Sequence, residues 1–260
     1  MKHYTFDDCL AIVRRLRSPN GCPWDNEQTL ESVLKYFQEE VYEALDAADR
    51  RDWPGLTEEL GDVLWEILFL ARIAEQEDHF TMEAVLQILG EKMVRRHPHI
   101  FGDARIENSD QVLAQWSEIK KQEKKTATHA GVLTKVPGSL PALLRSYRLS
   151  ERAASVGFDW ENAGQVWAKV EEEKGELAAA MAAGDRAAVE HELGDLIFAL
   201  VNLGRHLEIN AEDAVRRAAN RFVARFEAVE ATYAGRGEKM ADKTIAELEA
   251  EWQAAKKRVG

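Results

Sequence analysis

Two sets of acids in this chain repeat at one offset. Glu39-Glu40-x-x-Glu43 with Glu59-x-x-Asp62 recurs as Glu172-Glu173-x-x-Glu176 with Glu192-x-x-Asp195, every member lying 133 residues after its counterpart. Acid-rich helices that arose separately would not keep that register, so the chain reads as a duplication of one carboxylate-bearing unit. Helix residues three or four apart share a face, which puts Glu173 with Glu176 and Glu192 with Asp195. Both pairs are centred on Gly184, within the turn-like Ala182-Ala183-Gly184-Asp185. A helix hairpin folding there brings Glu176 level with Glu192 and Glu173 level with Asp195, about 12 Å from the turn at ~1.5 Å of rise per residue. In the first half the same construction puts the turn at Arg50-Arg51-Asp52. Converging carboxylates repel and titrate abnormally unless a cation joins them, and a hard divalent ion such as Mg²⁺ prefers this donor set. The spacing therefore predicts a metal site.

A lone Glu-x-x-Glu is commonly a solvated face with intrahelical ion pairs. Two features argue against that reading for the whole constellation. The register of the copies is one. The other is that Asp195 sits inside the apolar run Leu193 to Leu200, and Asp62 inside Leu60 to Trp65, where acids need partners.

The elements that must position these acids are helices. Leu193, Leu196, Ile197, Leu200 and Leu203 form an i, i+3, i+4, i+7 stripe, and Phe222, Phe226 and Val229 form another, whereas alternating strand patterns are scarce. The expected fold class is all-α. All six prolines (Pro19, Pro23, Pro54, Pro98, Pro137, Pro141) fall where the apolar period stops, as helix boundaries do. The expected organisation is a first domain over 1–122, a linker over 123–137 with linker-like composition, and a second domain over 138–260.

Bulk properties exclude some classes. The formal net charge of −12 over 260 residues speaks against a nonspecific nucleic-acid binder, although free nucleotides remain possible partners once a metal supplies positive charge. Cys9 and Cys22 lack Cys-x-x-Cys spacing, so neither a disulfide framework nor a zinc cluster is expected. The apolar runs fall short of the roughly 20 residues a membrane helix needs, and the N-terminus has no signal-peptide core. A cytoplasmic protein is expected.

The duplication reaches beyond the acids. Pro23-Trp24-Asp25 resembles Asp159-Trp160-Glu161, and Trp116 with Lys120-Lys121 resembles Trp252 with Lys256-Lys257, both at an offset of 136. After each acidic hairpin comes an i,i+4 basic pair, Lys92 with Arg96 and Arg221 with Arg225, at an offset of 129. A basic pair following a metal-type acidic site is what a polyphosphate requires.

These residues carry a family resemblance. Duplicated Glu-Glu-x-x-Glu and Glu-x-x-Asp, with Gly21-Cys22-Pro23-Trp24-Asp25 before the first copy and Val156-Gly157-Phe158-Asp159-Trp160 before the second, resemble the MazG family of nucleoside triphosphate pyrophosphohydrolases over essentially the whole chain. The resemblance implies two tandem helical-bundle domains assembled as a homodimer. It also implies Mg²⁺-dependent cleavage between the α- and β-phosphates, with Mn²⁺ as a substitute, broad base tolerance, and a role in nucleotide-pool cleaning or stress. Carried over by position, the metal ligands are Glu173, Glu176, Glu192 and Asp195. Nucleotide contacts come from Lys169, Glu172, Glu173, Ala188, Val189, Glu190, His191, Asp195, Asn220, Arg221, Arg225 and Trp252. The family commonly has Lys where this chain has Arg221.

Within that mechanism the cation neutralises phosphoryl charge and activates water, and electrostatics does most of the catalysis. Glu172, beside Glu173 but about 100° round the helix, is a candidate either to support the metal ligands from behind or to act as general base. Lys169 shares a face with Glu173 and Glu176 and is placed to meet a phosphate. Trp252 either stacks on a base or packs in the core. The halves are unequal, because Tyr36 replaces Lys169 and Glu91 replaces Asn220, changes that disfavour an anion. Catalysis is therefore expected in the second half, with the first mainly a scaffold and dimer surface. Two other readings compete: a di-iron bundle, which would need Glu-x-x-His where this chain has acids, and a non-catalytic nucleotide- or protein-binding regulator on the same acidic bundle.

Overall fold

The computed structural model describes residues 3–102, 108, 111, 112, 115 and 131–259. Trp116, Lys120 and Lys121, one member of the second expected repeat pair, lie outside the described residues, as does the 123–130 part of the expected linker. The chain divides into two compact units, Met1–Glu123 and Lys124–Gly260. Among the described residues there is no strand, in keeping with the all-α expectation.

In the first unit, α1 (Phe6–Leu16), α2 (Pro23–Glu27), α3 (Leu30–Arg50), α4 (Trp53–Gln76), α5 (Met82–Arg96) and α6 (Pro98–Phe101) follow one another. In the second, a 3₁₀ turn at Leu133–Lys135 precedes α7 (Ala142–Ala154), α8 (Ala163–Ala183), α9 (Arg186–His206), α10 (Ala211–Gly235) and α11 (Ile245–Val259).

The repeat extends to the caps. Helix α8 starts and ends 133 residues after α3, and α9 starts 133 residues after α4. Thr29 and Asn162, one offset apart, each accept an amide from the third residue of the helix they open. Helix α3 ends on Arg51 at φ 56°, and α8 on Gly184 at φ 71°. Both are left-handed, a conformation free for Gly184 and costing Arg51 about 1–2 kcal/mol. Asp52 and Asp185 then cap the returning helices through Gly55 and through Ala187 and Ala188. Capped, left-handed stops at matching positions are what turn each long helix back on itself.

The arms are held by separate cores. In the first unit Val13, Val33, Leu68 and Ile73 are almost wholly buried and pack with Leu10, Phe69 and Met82. Truncating Leu68 to alanine in such a setting costs about 2–5 kcal/mol. In the second unit Val166, Val170 and Val201 are buried along α8 and α9, and Val229, Tyr233 and Ala255 join α10 to α11. The apolar stripe of α9 is helical as expected, but Leu193 and Leu200 remain 47% and 46% exposed. Within the chain, α9 buries Ala199 and Val201 instead.

Candidate active site

The second hairpin brings carboxylates from both arms together. Oxygens of Glu173 and Glu176, from α8, and of Glu192, from α9, lie within 4.8 Å of one another. Asp195 belongs to an overlapping group with His191 and Glu192 drawn to the same limit, its carboxylate 3.1 Å from His191 Nδ1. Glu192 therefore links the two groups. In the first hairpin Glu40, Glu59 and Asp62, the counterparts of Glu173, Glu192 and Asp195, form a cluster within the same limit.

One cation distinguishes the halves. Lys169 Nζ lies 2.7 Å from a carboxylate oxygen of Glu173, which is only 6% exposed, and 2.7 Å from Glu172. These two hydrogen bonds, to Glu172 and then Glu173, push the lysine above its ordinary pKa and keep it charged. Glu176 is exposed, yet partial loss of hydration at the cluster, then the negative charges of Glu173 and Glu192, raise its carboxyl, and Lys169 pulls the other way. In the first hairpin burial, then Asp62, Glu43 and Glu59, raise Glu40, and no cation is among the causes. Glu66, the counterpart of Ala199, is pushed up to about 7 by burial and by Glu40 and Asp62.

These residues fit a divalent cation. The donors are all carboxylate oxygens, one is buried, and the cluster's like charges are incompletely neutralised by a lysine shared with Glu172. Hard ions with high charge suit such a set. His191 beside Asp195 adds one nitrogen donor at the edge of this oxygen set.

A cavity of about 560 Å³ opens beside the cluster. Lys169, Glu173 and Asp195 form one end, and Val166, Phe198 and Trp160 contribute apolar wall. The loop carrying Phe158 and Trp160 is pinned from the far end of α9. Asp159 accepts hydrogen bonds from Arg205, from His206 Nε2 at 3.0 Å and from the Trp160 amide. Burial opposes ionisation of Asp159, but the hydrogen bonds from Arg205 and His206 outweigh it and hold the carboxyl below its usual range. Nothing in the local pattern announces this latch, because Asp159 lies 46 and 47 residues from its partners.

The remaining predicted contacts lie elsewhere. Ala188 and Val189 give their amides to Asp185 at the start of α9, followed by Glu190 and His191. Asn220, Arg221 and Arg225 are on α10, and Trp252 is on α11; none of the four lines this cavity. Trp252 packs against Phe222, ring centres 5.1 Å apart, at the edge of the Val229–Tyr233–Ala255 core. Glu172 is exposed and held by Lys169.

Comparison with known proteins matches residues 28–101 and 163–229 to the MazG nucleotide pyrophosphohydrolase domain, one segment in each half. The chain is 44% identical to a nucleoside triphosphate pyrophosphohydrolase of Escherichia coli K12 over 255 residues, 97% of each chain. It is 40% identical to a nucleoside triphosphate pyrophosphohydrolase/pyrophosphatase MazG of Thermotoga maritima over 253 residues, covering 96% of this chain and 95% of the relative. It is also 41% identical to the Bacillus subtilis protein YabN, covering 98% of this chain and 52% of that longer one.

Proposed function

The chain belongs to the MazG nucleotide pyrophosphohydrolase family, and from that premise we propose that it hydrolyses ribo- and deoxynucleoside triphosphates to the monophosphate and diphosphate. The observation that carries this reading is the convergence of Glu173, Glu176 and Glu192 across the α8–α9 hairpin, with Lys169 on Glu173 and a cavity alongside.

Glu173, Glu176, Glu192 and Asp195 would hold Mg²⁺, or Mn²⁺ in its place. The bound cation supplies charge neutralisation along the triphosphate and lowers the pKa of water. The chain's own residues do the rest. Lys169 carries a fixed positive charge at the mouth of the cavity, where its ammonium can exchange Glu172 for a phosphate oxygen. Release from Lys169 would leave the Glu172 carboxylate exposed beside the ligand Glu173, placed to take a proton from the attacking water. Arg221 and Arg225 supply charge for the outer phosphates, and Asn220 sits beside them.

In this reading the second unit does the chemistry, and the first is mainly a scaffold. Tyr36 stands where the second unit has Lys169, with its ring 6.2 Å from Trp24. A homodimer accounts for the exposed stripe of Leu193, Ile197 and Leu200. Two free cysteines are in keeping with a reducing cytoplasm, and broad tolerance of bases with a pool-cleaning or stress role with the family. No helix among the described residues is long and apolar enough to cross a membrane.

Chromatography of the products decides the chemistry. Monophosphate with pyrophosphate is expected; diphosphate with orthophosphate as the main products would overturn it.

A further inference from the structure

The cavity next to the carboxylates has two chemically different ends. Along α9, Asp195, Phe198, Ala199, Asn202 and Arg205 all line it at helical spacing. Asn202 therefore sits two turns, about 10 Å at ~1.5 Å per residue, from the acid at the other end. Between them the walls are apolar, with Phe158 and Trp160 held over the space by the Asp159 latch. A charged end, an apolar middle and a polar far end, where Asn202 lies beside the Arg205–Asp159 ion pair, match the order of phosphate, sugar with flat ring, and base edge in a nucleotide. The volume of about 560 Å³ falls within the ordinary range for ligand pockets.

Asn202 is oriented within this space. Its Oδ1 accepts from Arg205 Nε at 2.9 Å, and among the described residues its amide nitrogen has no protein partner. Arg205 is itself tied to Asp159, so it holds the Asn202 oxygen toward the guanidinium and leaves the N–H donors as the groups to offer. The corresponding place in the first unit holds Phe69, buried in that unit's core beneath the Arg17 guanidinium.

We propose that Asn202, fixed by Arg205, is the base-reading residue of the second unit and that it reads as a donor only. This rests on the pyrophosphohydrolase reading above and adds to it where the base lies and what meets it. Every nucleobase presents at least one carbonyl oxygen or ring nitrogen acceptor, so a donor-only reader tolerates them all. Discrimination would require an acceptor at the base edge, and the Arg205 hydrogen bond turns the one acceptor atom of this side chain toward the guanidinium.

Asn202→Asp tests this with almost no change of shape. One carboxylate oxygen keeps Arg205, and the other turns an acceptor toward the base. The measurement is kcat/KM for pyrophosphate release from two pairs that differ mainly in an amino group against a carbonyl, cytidine against uridine triphosphate and adenosine against inosine triphosphate. Both ratios are expected to rise about tenfold or more over the unaltered protein, because one charge-assisted hydrogen bond is gained by one member and repulsion by the other. The calorimetric Kd of inorganic tripolyphosphate with Mg²⁺ should stay within about twofold of the unaltered protein, a charge term that screening keeps small at that separation. Asn202→Phe, the residue of the first unit, should close the far end and raise KM for all four nucleotides while leaving tripolyphosphate binding in place. Four substrates changing in step in Asn202→Asp, or ratios that do not move, would overturn the assignment even with the unaltered protein fully active. An unaltered protein that releases no pyrophosphate from any triphosphate would instead overturn the reading on which it rests.

Discussion

Lys169 and Glu173 stand one helical turn apart with ammonium and carboxylate 2.7 Å from each other, and no other lysine or arginine forms an ion pair with the acids of the second cluster among the described residues. Glu173 is the buried member of that cluster, so the pair joins the candidate metal site to the mouth of the cavity.

Replacing Lys169 with tyrosine, as in the first unit, should remove one charge-assisted phosphate contact. Such contacts are typically worth about 1.5–3 kcal/mol. At about 1.4 kcal/mol per tenfold, kcat/KM should fall roughly ten- to a hundredfold. Lys169→Arg should retain much more. Steady-state kinetics on both variants checks this, and equal losses would mean that the side chain is needed for its shape.

The Glu176 carboxyl is raised above its ordinary value of 4.5 by partial loss of hydration and by the charges of Glu173 and Glu192. A raised carboxyl makes the folded state bind the proton more tightly than the unfolded chain does, so its contribution to stability is present at low pH and is lost as pH rises through the folded pKa. Glu176→Gln should therefore raise the metal-free melting temperature at pH 8 and have less effect near pH 4, while abolishing metal-dependent turnover. A melting temperature that falls at pH 8 would indicate that the carboxylate is structural.

Glu66 obeys the same sign over a wider window, from 4.5 to about 7, because burial and then the charges of Glu40 and Asp62 disfavour its ionised form. Stability of the metal-free protein should decline between those pH values. Glu66→Gln should flatten that decline, which thermal melts across the range would show. An unchanged slope would place the titrating group elsewhere.

Asp159 has the opposite sign. Its folded pKa lies below its ordinary value of 3.8, since the hydrogen bonds from Arg205 and His206 outweigh burial. Its contribution is thus present at neutral pH and fades only as pH falls through the folded pKa. Asp159→Ala should cost about 1.5–3 kcal/mol at pH 7. Scanning calorimetry would read this as a melting temperature lower by roughly 2–4 °C per kcal/mol. An unchanged melting temperature would mean that the latch adds nothing.

Much of the architecture was legible because the duplication doubles every local signal. The turns at Arg51 and Gly184 follow from the mirror placement of the acids, and the structure puts left-handed residues and Asp caps at both. What could not be read depends on contacts between distant segments. The Asp159–Arg205–His206 latch spans more than 40 residues, and Asn202 gains meaning only once Arg205 occupies its oxygen. Periodicity gives the stripe of Leu193, Ile197 and Leu200 its helix, but not which side the unit buries; Ala199 and Val201 take that role. Trp252 was open between base stacking and packing, and its contact with Phe222 places it in a core edge.

The division of labour between the halves is tested most directly by two substitutions in the full-length chain, Asp62→Ala and Asp195→Ala, compared by pyrophosphate release under saturating Mg²⁺. The metal acids are matched, so any asymmetry must come from the residues that differ around them, Lys169 and Asn202 against Tyr36 and a buried Phe69. Asp62→Ala is expected to keep most of the turnover and Asp195→Ala to lose nearly all of it. Comparable losses in the two variants, or a larger loss in Asp62→Ala, would contradict the assignment of catalysis to the second unit.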